Sequence, residues 1–241
     1  MKPITISARI LGELALPDFC PRCFWIKLRC ENKVPFQIPM PGIFNSIDAY
    51  GKKLIHGFFD QNKALPPWYP DIGKVREYVS PHYLHWSKFT VDDPKTKITV
   101  RGTPDDVFRL SDGSHHIVDY KTAKATEKQD ELFPMYEVQL NLYAYISPKV
   151  GFSPITGLSL IYMEPQTDLQ SDGIDDLMSR QDFSLKFEAT LVPVANRAGT
   201  LIPDLLQRAR KICDSARPPS GRDGCKDCKL LEKLMAVAQG G

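Results

Sequence analysis

Two Cys-x-x-Cys pairs, Cys20 and Cys23 near the start of the chain and Cys225 and Cys228 near its end, limit the possible folds more than any other feature. Each pair lets two thiolates converge on one centre, and two pairs complete a tetrahedral set. Nearly the whole chain lies between them, so the pattern is unlike a local zinc ribbon. A metal held there staples an N-terminal helix to the C-terminal segment. Closing so long a loop restricts the unfolded chain, which makes such a centre structural first. Cys30 and Cys213 stand apart from both pairs and read as buried reduced thiols. Six cysteines in a reducing compartment do not make a disulfide framework.

That compartment is expected to be the cytoplasm. No continuous apolar run approaches the roughly 20 residues that span a bilayer. The opening Met-Lys-Pro-Ile-Thr-Ile-Ser lacks the apolar block and small-residue cleavage site of a signal peptide, and no membrane partner is expected. With 241 residues and 42% hydrophobic side chains the chain buries a sizeable core, and it reads as one domain over 1–241. Thirty-one Lys and Arg against 29 Asp and Glu leave a formal +2, which neither argues for nor excludes nucleic acid. Arg208, Arg210, Lys211, Arg217, Arg222, Lys226 and Lys229 cluster near the C-terminus, and Arg22, Lys27 and Arg29 surround the first cysteines. Such runs are solvated faces or phosphate-binding ground.

Hydrophobic spacing predicts helix over 7–29 in two pieces, broken at Leu16-Pro17-Asp18, with Asp18 as the capping residue of the second. That second piece carries Cys20 and Cys23 in its opening turn. A Pro-rich stretch over 34–42 leads to a helix over 45–62, and further helices are expected over 131–146, over 200–215 and after Cys228. Strands are expected over 157–165 and 183–193. Residues 63–97 show no clear period and read as irregular structure with a short helix, and 217–224 read as a loop. Helices alternating with strands favour an α/β core, a mixed central β-sheet flanked by helices. Residues 1–33 and 213–241 are then the cysteine-bearing segments.

The chemistry is expected in 98–146, a hairpin followed by a helix. Gly102-Thr103-Pro104-Asp105-Asp106 precedes a Ser111-Asp112-Gly113 turn, and Val118-Asp119-Tyr120-Lys121 follows it. Side chains alternate along a strand, so Asp119 and Lys121 share a face while Val118 and Tyr120 take the other. An acid and a cation about 6.5 to 7 Å apart along the strand can hold a phosphate oxygen and a metal ion between them. Magnesium or manganese prefers oxygen donors in near-octahedral geometry, and Asp105, Asp119 and the backbone carbonyl of Tyr120 supply three. The metal would polarise a scissile phosphate and acidify a bound water, with Lys121 placing that water or neutralising developing charge. On the next helix Gln139 and Tyr143, four apart, project from one face; a Gln amide and a Tyr hydroxyl hydrogen-bond phosphate or base edges.

Taken together, Gly102-Thr103-Pro104-Asp105, Val118-Asp119-Tyr120-Lys121-Thr122 and Gln139-Leu140-Asn141-Leu142-Tyr143 resemble the three motifs of the RecB-like branch of the PD-(D/E)xK nucleases, in order and approximate spacing. The resemblance implies a restriction-endonuclease-like core and metal-dependent hydrolysis of DNA phosphodiesters. It makes Asp105 and Asp119 metal ligands, Lys121 the catalytic lysine, and Gln139 with Tyr143 a pair near the substrate. Members of this branch often add a His or Glu from the helix before the sheet. Here Gly51 followed by His56 resembles that feature with one extra residue in the gap, and Asp48 is the acid on the same helix that can take its place.

The cysteines extend the resemblance to the CRISPR-associated exonucleases of this branch, which hold a [4Fe-4S] cluster on one N-terminal and three C-terminal cysteines. Cys20 resembles their first ligand and Cys225 with Cys228 two of the later three. No cysteine follows Cys228, so Cys23 or, failing that, Cys213 would complete the set, and structural zinc is the alternative to the cluster. The function so implied is an exonuclease acting on single-stranded DNA or DNA ends. The chain has no helicase motif, so unwinding would come from a helicase partner, and CRISPR adaptation proteins are further partners the likeness implies. The other reading is a non-catalytic DNA-binding or complex-assembling module on the same scaffold.

Overall fold

The computed structural model describes residues 4–31, 41–123, 127–168 and 173–240. The expected mixed sheet flanked by helices is present. Its strands are β2 (Val75–Tyr78), β5 (Asp106–Leu110), β6 (His115–Lys121), β7 (Ile155–Pro165) and β8 (Phe187–Pro193), in the order β2-β5-β6-β7-β8. Neighbours run antiparallel except β6 and β7, which are parallel. Parallel strands need a long crossover, and α5 (Glu127–Ile146) provides it.

The faces of this sheet follow from register. Asp106 stands opposite Val118 and Phe108 opposite His116. Phe108, Val118 and Ile161 therefore lie on one face with Ile55 and Phe59 of α3 (Gly42–Asn62). Val107, Ile117 and Leu160 lie on the other, against α5, against α1 (Ala8–Gly12) and against α6 (Ala198–Asp214). Asp119 falls on the α5 face and Tyr120 on the α3 face. The helices α1 and α5 approach so closely that a Cβ at Gly12 would stand 2.6 Å from the carbonyl oxygen of Met135.

A second, three-stranded sheet of order β1-β4-β3 unites β1 (Ile4–Ser7), β3 (Thr90–Asp93) and β4 (Ile98–Arg101). Its parallel β1–β4 pairing joins residues from opposite ends of the N-terminal half. Three expectations are corrected here. Residues 63–97 contain the expected short helix, α4 (Pro81–Leu84), but also the strands β2 and β3, which the reading as otherwise irregular structure did not include. Ile4-Thr5-Ile6-Ser7 is a strand, and the Ser7 hydroxyl caps α1 by accepting the Ile10 N–H at 3.4 Å. The second N-terminal helix, α2 (Pro21–Arg29), starts at its own Pro21 behind Cys20, so Asp18 is not its cap. Four-residue strands and a two-residue offset of a helix cap lie below what periodicity resolves. The Pro-rich stretch 34–42 lies almost entirely outside the described residues. Among the described residues no helix is long and apolar enough to cross a membrane.

Candidate active site

Asp105 sits in the loop that links β4 to β5, just ahead of the first hydrogen-bonded strand residue. One carboxylate oxygen accepts the Tyr120 backbone N–H at 2.8 Å, and the other accepts the Lys52 ammonium at 2.7 Å. Because a strand residue directs its N–H and C=O to the same edge, the Tyr120 carbonyl opens on the side where Asp105 lies. Lys52 also holds Asp48 at 2.9 Å, one turn back along α3. Burial opposes the Lys52 charge, but Asp105 and Asp48 outweigh it and raise its pKa.

Asp119 is buried at 3% exposure on the other face of β6. Lys121, two residues on, approaches its Oδ2 at 2.5 Å, as the strand alternation requires. The Gln139 amide donates to its Oδ1 at 3.0 Å and to the Tyr143 hydroxyl at 2.8 Å. Burial and the nearby Asp105 carboxylate push the Asp119 pKa up to about 6 against the opposing pull of Lys121. An acid held this far from its usual value by both desolvation and a second acid is the environment expected of a cation-binding carboxylate.

Gln139 and Tyr143 are thus brought together with Asp119, but Tyr143 is only 3% exposed. Its ring lies over Gly102, where a Cβ would stand 2.3 Å from the ring edge. The glycine of the Gly-Thr-Pro-Asp segment is therefore the space the tyrosine fills. Burial and the Asp119 charge raise the Tyr143 pKa well above its ordinary value, so the hydroxyl stays protonated.

His56 is brought to Asp106 rather than to Asp105 or Asp119. Its Nε2 stands 2.8 Å from Oδ1 of Asp106, which is fully buried, and its ring stacks on Tyr78 at 4.1 Å. The Tyr120 hydroxyl donates to the other oxygen of Asp106 at 2.7 Å, and Tyr69 joins as a fourth member at 2.9 Å from that hydroxyl. Sequence reasoning missed Asp106, Lys52 and Tyr69. The i, i+4 spacing of Asp48 and Lys52 was a visible signal for a helical ion pair, whereas nothing local announces that Lys52 reaches Asp105.

Lys121 lies at the boundary of two clefts, its ammonium 4.1 Å from the centre of the Tyr136 ring. One cleft, of about 320 Å³, reaches Asp48, Asp105 and Tyr120. The other, of about 1070 Å³, runs from Lys121 and Gln139 to Cys20, Cys23 and Cys225, past Arg9, Lys27 and Arg222.

The four outer cysteines meet at the far end of that cleft. All four Sγ atoms lie within 4.8 Å of one another, and Cys20, Cys225 and Cys228 are buried. Each pair opens a helix: Cys20 and Cys225 occupy the cap positions of α2 and of α7 (Lys226–Ala238), and Cys23 and Cys228 lie in the first turns. Burial pushes the Cys20 thiol up, but the backbone N–H groups of Arg222 and Cys23 outweigh it and bring it down to about 6. Cys228 is pushed up to about 11, chiefly by burial, because neighbouring thiols cannot all ionise without a cation. Four converging thiolates suit either zinc or an iron-sulfur cluster by donor type. Cys30 is exposed and Cys213 is buried away from the group.

A family model for the PD-(D/E)XK nuclease superfamily matches residues 63–232. The chain belongs to this superfamily. The matched segment contains the Asp105, Asp119, Lys121 and Gln139 constellation and the second cysteine pair, and begins after His56. No curated protein matches the chain. Among solved structures, the chain is similar to the alkaline exonuclease LHK-Exo of Laribacter hongkongensis at 8% identity and a TM-score of 0.47, over 97% of this chain and 94% of that one. LHK-Exo in complex with dAMP gives 10% identity and a TM-score of 0.43 over the same shares. The crystal structure of SSO0001 gives 12% identity and a TM-score of 0.45, over 89% of this chain and 79% of that one.

Proposed function

We propose that the chain is a divalent-metal-dependent deoxyribonuclease that hydrolyses phosphodiester bonds at DNA ends or in single strands. The observation that supports this reading best is the unit of Asp119, Lys121 and Gln139 at the inner end of an open cleft. Lys121 and Gln139 hold Asp119 by both oxygens, at 2.5 and 3.0 Å, and Asp105 lies close enough to raise its pKa. Asp105, Asp119 and the Tyr120 carbonyl would hold magnesium or manganese, whose oxygen preference matches that donor set. When bound, the ion supplies Lewis acidity at the phosphate and a more acidic water. Lys121, released from Asp119, neutralises charge on the phosphate. Gln139 fixes the orientation of Asp119 and Tyr143 fixes Gln139, so this pair positions the acid from behind. Asp106, His56 and Tyr120 form a network on the opposite face of β6 that steadies the strand carrying the site.

The four-cysteine centre would hold zinc or a [4Fe-4S] cluster and tie α2 to α7. DNA is the proposed partner, with a helicase to supply single strands and the cytoplasm as the compartment. Purified protein with manganese or magnesium is expected to degrade single-stranded or end-bearing DNA, and Asp119→Ala and Lys121→Ala to lose at least about a hundredfold in rate. Intact DNA under every divalent metal, with binding retained in chelator, would instead establish a non-catalytic DNA-binding module.

A further inference from the structure

We infer that the four-cysteine centre is built for a single tetrahedral ion, zinc, and not for the cubane cluster suggested by likeness to the CRISPR-associated exonucleases. Zinc–sulfur bonds of about 2.3 Å in a tetrahedron set the sulfurs about 3.8 Å apart. The sulfurs here stand at 3.5 Å for Cys20–Cys228, 3.5 Å for Cys23–Cys228 and 3.7 Å for Cys23–Cys225. In a cubane each thiolate radiates outward from its own iron, which sets the ligand sulfurs roughly 6 Å apart around an iron–sulfide core. No such core fits where all four sulfurs lie within 4.8 Å of one another.

The surrounding chain holds this tight spacing. Both pairs sit on opening helical turns, which fixes the backbone distance between the two cysteines of each pair. The Arg222 N–H donates to Cys20 Sγ at 3.3 Å. A Cβ at Gly221 would come within 3.0 Å of Cys228 Sγ, so the loop before α7 already lies against the sulfurs. Arg22 and Glu232, paired at 2.7 Å, clasp α2 to α7 beside the centre.

The test is metal analysis with absorption spectroscopy on full-length protein, made with both iron and zinc in excess and purified without oxygen. One zinc per chain and a featureless near-visible spectrum are expected, and cobalt in its place should give the intense visible bands of tetrahedral thiolate cobalt. Cys23→Ser should lower the bound zinc severalfold. Iron with acid-labile sulfide and a broad near-visible band would overturn the inference, as would metal-free folded protein. None of these readouts depends on cleavage, so the nuclease reading stands or falls separately.

A different observation supports a second inference, which rests on the nuclease reading: Trp86 and Tyr83 form a stacking platform for unpaired bases beside the catalytic loop. Both rings are about half exposed, Trp86 at 48% and Tyr83 at 55%. Each has a cation on it, Arg101 at 5.0 Å from the Trp86 ring and Lys88 at 5.3 Å from Tyr83, and such aromatic–cation pairs favour a polyanion carrying bases. Arg101 immediately precedes Gly102, whose N–H donates to the Phe89 carbonyl at 3.0 Å, so the segment bearing these rings is tied to the loop that carries Asp105. Four extended residues span at most about 14 Å, which keeps Arg101 within a few nucleotides of that acid.

Binding of fluorescein-labelled oligothymidylate, in calcium to block cleavage, is expected to weaken about 5- to 100-fold in Trp86→Ala and in Tyr83→Ala, and to recover in Trp86→Phe. Unchanged affinity in both alanine variants, alongside wild-type cleavage that Asp119→Ala abolishes, would overturn the platform alone. Wild-type protein that neither binds nor cuts DNA would overturn the nuclease reading with it.

Discussion

The buried Asp119 carboxylate makes the protein's stability depend on pH and, in its proposed role, on metal. Its folded pKa of about 6 lies above the roughly 3.9 of an unfolded aspartate, so the stability it contributes is present below about pH 4. In metal-free protein that contribution is lost as pH rises through 6. A divalent cation held by Asp119, as proposed, would restore what ionisation removes. The rise in melting temperature on adding manganese should therefore be larger at pH 7.5 than at pH 5, read by differential scanning fluorimetry. Equal shifts at both pH values would separate Asp119 from the metal. His56 behaves differently, because its partner is Asp106, fully buried and bonded also to the Tyr120 hydroxyl. His56→Ala should cost about 1–3 kcal/mol in urea denaturation by leaving a buried carboxylate oxygen unpaired, with manganese affinity by calorimetry near wild type. A large fall in affinity would place His56 in the metal shell.

Among the elements, β6 is the organiser. Its alternation sends Asp119 and Lys121 to one face and Tyr120 to the other, and its pairing with β5 brings Asp106 opposite Val118. The helix α5 then presents Gln139 and Tyr143 to the first face, and the loop ahead of β5 must pass beneath the tyrosine ring. Gly102 makes that passage possible, since any Cβ there would overlap the ring. Gly102→Ala should destabilise by about 1–3 kcal/mol through overpacking and lower cleavage by shifting Asp105. Combining it with Tyr143→Leu should recover part of the loss, a coupling that a double-mutant cycle measures. Additive losses would mean that the two residues do not share this contact.

For the molecule as a whole, the cysteine centre ties α2 to the last helix, α7, with Trp25 and Arg29 of α2 also bonded to the Ser215 carbonyl beyond α6. Cys20→Ser should lower the melting temperature by several degrees and expose 215–224 to protease, because the closure of a very long loop is undone. Much of this organisation is written in the chain: the shared face of Asp119 and Lys121 and the shared face of Gln139 and Tyr143 follow from spacing within one or two turns, the α/β alternation from the order of periodic segments, and the joining of the two Cys-x-x-Cys pairs from the chemistry of four thiolates rather than from any local period. What pairs with what across the fold does not. His56 and Asp106, Lys52 and Asp105, Gly102 and Tyr143, and β1 with β4 lie far apart in sequence, and no local period encodes their approach. Those contacts arise from how the β6 register and the seats of α3 and α5 on opposite faces divide the polar residues between two sides of one sheet. The sequence names the metal-binding and acid-base candidates because each motif is short and periodic; only the packed sheet decides which acid each lysine, histidine and tyrosine meets.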